Sequence, residues 1–217
     1  MKTEIPKLPP VERRFTQGVV EIRVGKAEGE EKRVRGYAAT FGKRSQNLGF
    51  GSFEFYEIIE RGAFEEVLKD DVRALFNHDP NLILARSKNG EGTLTLGTDD
   101  VGLWYEFTPP DTTTGRDLKT SIARGDIDQS SFAFTMGKEG QKWEETRDGE
   151  KTIVVRTISK IQRLYDVSPV TYPAYLDATV GMRALEQFRE INPQPPTPEP
   201  EVTFPTRSQW AARLGIR

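Results

Sequence analysis

The sequence predicts an α+β fold that is mainly β, with an antiparallel sheet or barrel and helices packed on it. Short runs rich in β-branched and aromatic residues recur along most of the chain. Clusters of Gly, Asp and Asn separate them, such as Asn89-Gly90-Glu91-Gly92 and Gly97-Thr98-Asp99-Asp100. Helical spacing interrupts this pattern at only two interior segments. The strand-like runs begin with Val19 to Val24 and Val34 to Ala38. They continue through Phe53 to Ile59, Val72 to Phe76, Leu82 to Ala85, Leu103 to Thr108, Ser130 to Met136 and Ile153 to Ile158. Phe64, Val67 and Leu68 stand at i, i+3, i+4 and predict a helix over Ala63 to Asp70. Leu118 and Ile122 predict another over Gly115 to Arg124, with Thr114 as its N-cap.

The two ends read differently. Pro6, Pro9 and Pro10 among charges mark residues 1–14 as an arm, leaving 15–183 as the main domain. A final helix over Arg183 to Ile191 opens the C-terminal segment, residues 184–217, and leads into Asn192 to Pro205, which holds six of the chain's 14 prolines and reads as an extended spacer. Trp210, Ala211 and Leu214 then line one face of a short helix, and a helix that short needs a surface to dock on. This segment is expected to be a propeptide or a targeting arm.

Composition removes several classes of function. At 217 residues the chain suits one domain with appendages, since domains average roughly 150 residues. Lys and Arg number 31 against 33 for Asp and Glu, so nothing favours nucleic acid or an anionic membrane as a partner. The chain has no Cys and one His, which excludes disulfide scaffolds, zinc fingers, Cys nucleophiles and His-rich metal sites. No apolar run approaches the ~18 residues of a membrane span. Met1 to Pro6 lacks the apolar stretch of a signal peptide, so a soluble, cytoplasmic chain is expected.

Several catalytic motifs also fail. Gly42-Lys43-Arg44-Ser45 looks like the end of a P-loop, but Tyr37 occupies the first Gly position and Arg44 separates Lys from Ser. Neither Gly-x-Ser-x-Gly nor Ser-x-x-Lys occurs.

The remaining candidates form a possible hydrolytic constellation. His78 follows the strand Val72 to Phe76, where a rigid element can hold a side chain at a cleft, and histidine is the side chain best suited to shuttling protons near neutral pH. Asp79 is a poor partner for it, because neighbours on an extended chain point to opposite sides. In the strand Ser130 to Met136, Ser130, Phe132, Phe134 and Met136 share one face and Ser131, Ala133 and Thr135 the other. Ser131 therefore lies on a face of small residues that a substrate backbone could approach, which makes it the better nucleophile. Asp166 precedes Val167 and Val170 as an acid among apolar neighbours, where a carboxylate could orient His78. On these residues alone, a surface histidine beside an Asp-Pro turn, a plain buried strand and a turn-capping aspartate remain open as alternatives.

An ordered set of fragments adds to this reading. They are Gly36-Tyr37-Ala38-Ala39-Thr40-Phe41, Ile59-Glu60-Arg61-Gly62-Ala63-Phe64, Leu75-Phe76-Asn77-His78-Asp79, Gly102-Leu103, Ser130-Ser131-Phe132-Ala133-Phe134 and the segment Asp166 to Ala174. The set resembles the prohead (capsid maturation) serine proteases of tailed bacteriophages, a group related in fold to the herpesvirus assemblins. The resemblance implies that His78 is the catalytic histidine and Ser131 the nucleophile of a Ser-Phe-Gly-Phe-like motif in which Ala133 replaces the common Gly. Asp166 then falls where the family more often has Glu, and the assemblins' second histidine has no counterpart.

The resemblance further implies a closed β-barrel surrounded by helices, and a serine endopeptidase that needs no cofactor or metal. Its substrates would be the major capsid protein and its scaffolding segment, and its own termini. Its place would be the assembling procapsid in the host cytoplasm, and a homodimer would follow by analogy with the assemblins. The rival readings are a non-catalytic β-rich assembly or scaffolding protein and a serine hydrolase of small esters.

Overall fold

A computed structural model describes residues 11–16, 20–23, 32–137 and 139–172, together with Glu186, Arg189 and Glu190. The chain divides into two compact units, Met1–Ala184 and Leu185–Arg217. In the second, Glu186, Arg189 and Glu190 are helical and exposed. The rest of the expected final helix, the Pro-rich spacer, the Trp210 helix and the first ten residues lie outside the described residues.

The described residues of the first unit form thirteen strands and one helix in the order β1 (Glu12–Thr16), β2 (Val20–Arg23), β3 (Arg33–Thr40), β4 (Phe53–Ile59), β5 (Val72–Phe76), β6 (Asp79–Lys88), β7 (Glu91–Gly92), β8 (Leu94–Thr98), β9 (Gly102–Phe107), α1 (Thr113–Arg124), β10 (Gln129–Thr135), β11 (Gln141–Asp148), β12 (Lys151–Ile158) and β13 (Arg163–Val170). Each strand-like run expected from the sequence overlaps one of these strands, and Val19 and Val24, the ends of the first run, lie outside the described residues. Three sheets result, with strand orders β1-β10-β13-β5-β6-β7, β11-β12-β4 and β2-β3-β9-β8.

The mainly-β expectation holds, but the closed antiparallel barrel is not found. Among the described residues the sheets are open. Two pairings are parallel, β4 with β12 and β5 with β13. A parallel pair needs a long crossover, and here strands far apart in sequence supply it.

The helix expectation also needs correction, since α1 is the one α-helix among the described residues of this unit. Its N-cap is Thr112 rather than Thr114, with the side chain accepting from Gly115 N. Gly115 packs so tightly on Pro110 that an added Cβ would sit 2.1 Å from the Pro110 carbonyl oxygen, which fixes where the first turn begins. Gly125, left-handed at φ 81°, closes the other end and donates to Ile122 O and Ser121 O.

Ala63 to Asp70 folds as successive turns instead. Val67 N donates to Phe64 O, and Asp70 N to Val67 O. The Ala63 carbonyl, which a helix would give to residue 67, accepts from Ile161 N at 2.9 Å. The spacing of Phe64 and Val67 still does its work, because both side chains are buried.

The core lies between the sheets. Phe132 and Phe134 stack at 5.0 Å between ring centroids, and Phe64 meets Phe132 edge-on at 5.5 Å. Val34, Leu103, Tyr105, Leu164 and Val167 complete its centre. Tyr105 reaches across because Gly36 leaves it room; a Cβ there would sit 2.6 Å from the phenol ring. β10 is buried along nearly its whole length, with residues on both faces covered. A central strand of this kind gives a side chain it carries a rigid base.

Candidate active site

Three elements bring the sequence-predicted residues together. β10 carries Ser131, and β13, its antiparallel neighbour, sets Ser168 opposite Ser131 and Asp166 opposite Ala133. Alternation along both strands therefore puts Ser131, Asp166 and Ser168 on one face. β5 lies beside β13 on the other side and ends at the turn that holds His78.

That turn is a two-residue hairpin between β5 and β6, closed by the Phe76–Asp79 pair. Asn77 and His78 are both left-handed, at φ 55° and 58°. A hairpin of this length favours such a conformation, and Asn and His are among the side chains that tolerate it best. Asn77 fastens the turn to the end of β13. Its N–H donates to Pro169 O at 3.1 Å, and its Oδ1 accepts from Thr171 N at 2.9 Å. Asp79 is occupied with Asn81 and takes no part in the site, as expected from its position next to His78.

His78 consequently sits between the two other candidates. Nδ1 is 2.6 Å from Asp166 Oδ1, and Nε2 is 2.6 Å from Ser131 Oγ. The shorter Asp side chain reaches His78 because β5 and β13 are immediate neighbours. Ser168 Oγ donates to the same Asp166 oxygen at 2.8 Å and lies 3.3 Å from His78 Nδ1. A carboxylate at Nδ1 assigns the ring proton to that nitrogen and leaves Nε2 as a base facing the hydroxyl. Ser130 belongs to the opposite face, where its hydroxyl bonds the buried Tyr105 hydroxyl at 2.7 Å. Burial pushes the Tyr105 phenol well above its ordinary range, so it stays neutral.

Chemically, one imidazole stands within hydrogen-bond reach of a serine hydroxyl on one side and a carboxylate on the other, the group types that nucleophilic hydrolysis requires. Among the described residues, no group of three or more His, Cys, Asp or Glu is placed to hold a metal ion.

Residues 20–191 match the family described as Caudovirus prohead serine protease. The chain belongs to that family. It is thus a serine protease of the phage prohead type, a capsid maturation protease. A search of curated proteins returned no match. Among solved structures, the chain is similar to the capsid assembly protease of bacteriophage T4, at 12% identity and a TM-score of 0.39, over 77% of this chain and 100% of that one.

Two features of the candidate site in this prohead protease are absent from the sequence reading. Ser168 stands two residues after Asp166, and that i, i+2 spacing would have signalled a shared face had 163–170 been recognised as a strand. The other is the backbone of β1. Ser131 Oγ donates to Arg14 O at 2.7 Å, and Ser131 is 0% exposed. β1 lies along the edge of β10, and its backbone holds the Ser131 hydroxyl where the sequence reading expected a substrate backbone to approach.

Proposed function

We propose that this chain is the maturation endopeptidase of a phage prohead. It cleaves peptide bonds of the scaffolding segment and major capsid protein, and of itself, inside the assembling procapsid in the host cytoplasm. Ser131 is the nucleophile, His78 the general base and Asp166 the residue that orients it. The observation that carries this reading is His78 bridging Ser131 Oγ and Asp166 Oδ1 at 2.6 Å on each side.

In the reaction, Ser131 Oγ attacks the scissile carbonyl carbon while His78 Nε2 takes the hydroxyl proton. Asp166 stabilises the imidazolium so formed. Collapse of the tetrahedral intermediate breaks the C–N bond, and His78 returns the proton to the leaving amine. Water, activated by the same nitrogen, then releases the acyl group and restores the Ser131 hydroxyl.

The test is covalent labelling with a fluorophosphonate, mapped by peptide mass. An adduct on Ser131, absent from Ser131→Ala and strongly slowed in His78→Ala, is the expected outcome. An adduct on another residue, or none on a folded chain, would overturn the assignment.

A further inference from the structure

We infer that β1 occupies the groove in which a substrate strand binds, and that Glu57 and Arg156 there select a peptide carrying an acidic residue two positions before an arginine. This rests on the reading of Ser131 as the nucleophile.

Backbone placement comes first. β1 adds to the edge of β10 as an antiparallel strand, with Phe15 opposite Ser131 and Arg14 opposite Phe132. Strand addition to a sheet edge is a common way for an extended peptide to bind, with main-chain bonds holding the segment and alternate side chains supplying selectivity. A peptide bond attacked by Ser131 must bring a carbonyl to its hydroxyl, and the Arg14 carbonyl is already there at 2.7 Å.

The side chains explain the selectivity. Glu12 and Arg14, two apart on a strand, share one face. That face meets Glu57 on β4 and Arg156 on β12, which stand opposite each other in the parallel pairing of those strands. The Arg14 guanidinium forks onto Glu57, with Nη2 donating to Oε1 at 2.8 Å and Nε to Oε2. Arg156 takes Glu12 in the same manner, Nη1 to Oε2 at 2.7 Å and Nη2 to Oε1 at 3.0 Å.

The receptor pair belongs to the body of the protein. Arg156 Nη1 also donates to Glu57 Oε1 at 2.9 Å, and its Nε donates to Gln141 Oε1 at 2.7 Å. Arg156 is 1% exposed and Glu57 4%. The visiting strand contributes one positive and one negative charge, and so does the receptor. When β1 leaves, Glu57 and Arg156 still neutralise each other. A replacing segment with only one of the two charges would bury an uncompensated ion, whereas an acid-x-Arg segment rebuilds the four-charge cluster. Lys would present a single point charge where Arg presents a planar fork.

β1 in this position also keeps the enzyme latent. The Ser131 hydroxyl has one hydrogen, and while the Arg14 carbonyl accepts it, His78 Nε2 cannot take it.

Labelling rate reads both halves of the inference. Full-length wild type is compared with Glu12→Gln/Arg14→Gln, which removes the charges of β1 and leaves the Glu57–Arg156 pair intact. Diisopropyl fluorophosphate adducts are followed by intact mass. Release of β1 is expected to speed labelling of the double variant by about tenfold or more. Added peptide with the sequence of residues 9–18 should slow it again, and the same peptide with alanine in place of the Glu and the second Arg should not.

A cooperatively melting double variant that labels at the wild-type rate overturns the occupancy of the groove. Equal protection by the two peptides overturns the selectivity. Labelling of neither chain, with both folded, removes the nucleophile assignment and the inference with it, whereas fast, equal labelling of both leaves the nucleophile standing and removes only the inference. Should the double variant melt early, Arg14→Lys replaces it, with an intermediate rate expected and an unchanged rate contradicting the inference.

Discussion

Asp166 Oδ1 lies 2.6 Å from His78 Nδ1 although 88 positions separate the two residues. The contact depends on β5 and β13 running side by side in parallel, with Asp166 opposite Arg73. Replacing Asp166 with Asn keeps the shape and reverses the hydrogen bonding, because an amide can donate to Nδ1 and favour the tautomer whose Nε2 carries the proton. Peptide cleavage should then fall by about 10⁴-fold. Steady-state cleavage of a capsid-derived peptide measures it, and a loss under tenfold would remove Asp166 from the mechanism.

Ser168 supports that carboxylate at 2.8 Å from a fully buried position. Ser168→Ala deletes one donor to a charged acceptor, an interaction worth roughly 1.5–3 kcal/mol. The expected result is a modest fall in cleavage rate with KM unchanged. A change confined to KM would mean that Ser168 acts on the substrate instead.

Asn77 positions His78 through the turn. Its Oδ1 accepts from Thr171 N at 2.9 Å. Asn77→Gly keeps the left-handed backbone and loses this clamp, so His78 should wander and the rate fall by up to about 10²-fold. Asn77→Asp keeps the acceptor and should restore labelling of Ser131. Equal labelling rates in wild type, Asn77→Gly and Asn77→Asp would show that the clamp is dispensable.

Glu57 links stability to pH. Burial acts to raise its carboxyl, but the charges and hydrogen bonds of Arg14 and Arg156 outweigh burial and hold it below the ordinary range. A depressed folded-state value contributes stability above the unfolded glutamate value of ~4.3, and that contribution disappears as pH falls through the folded value. Glu57→Gln should therefore lower Tm at neutral pH, by an amount corresponding to about 3–5 kcal/mol for a broken buried pair. It should also flatten the loss of Tm below pH ~4. Thermal melts of both chains from neutral to acid pH check this, and parallel curves would contradict it.

Sequence legibility follows from how local the signal is. β4 and β5 carry β-branched and aromatic runs, and their ends match the expected ones residue for residue. β11 was invisible because its residues, QKWEETRD, are largely polar and much of the strand faces solvent. β13 was obscured by Pro169 near its end. β1 reads as a charged arm up to residue 14, because Glu57 and Arg156, which complete the charge cluster of Arg14 and Glu12, lie 43 and 144 positions away from them. His78 was legible as the chain's one histidine, and Ser131 from strand alternation. Asp166 is a candidate from its apolar neighbours Val167 and Val170, but nothing near it in sequence points to His78, 88 positions away. The closed barrel came from that resemblance too, and the sheets are open.

The most direct test of the account is coexpression of the chain with its capsid and scaffolding proteins, wild type beside Ser131→Ala, followed by intact mass of every component over time. Wild type is predicted to shorten the scaffolding segment, the capsid protein and its own termini, while Ser131→Ala leaves all of them at full length. Identical masses in the two coexpressions, whether all trimmed or all intact, would contradict the assignment of Ser131 as the nucleophile of a prohead endopeptidase.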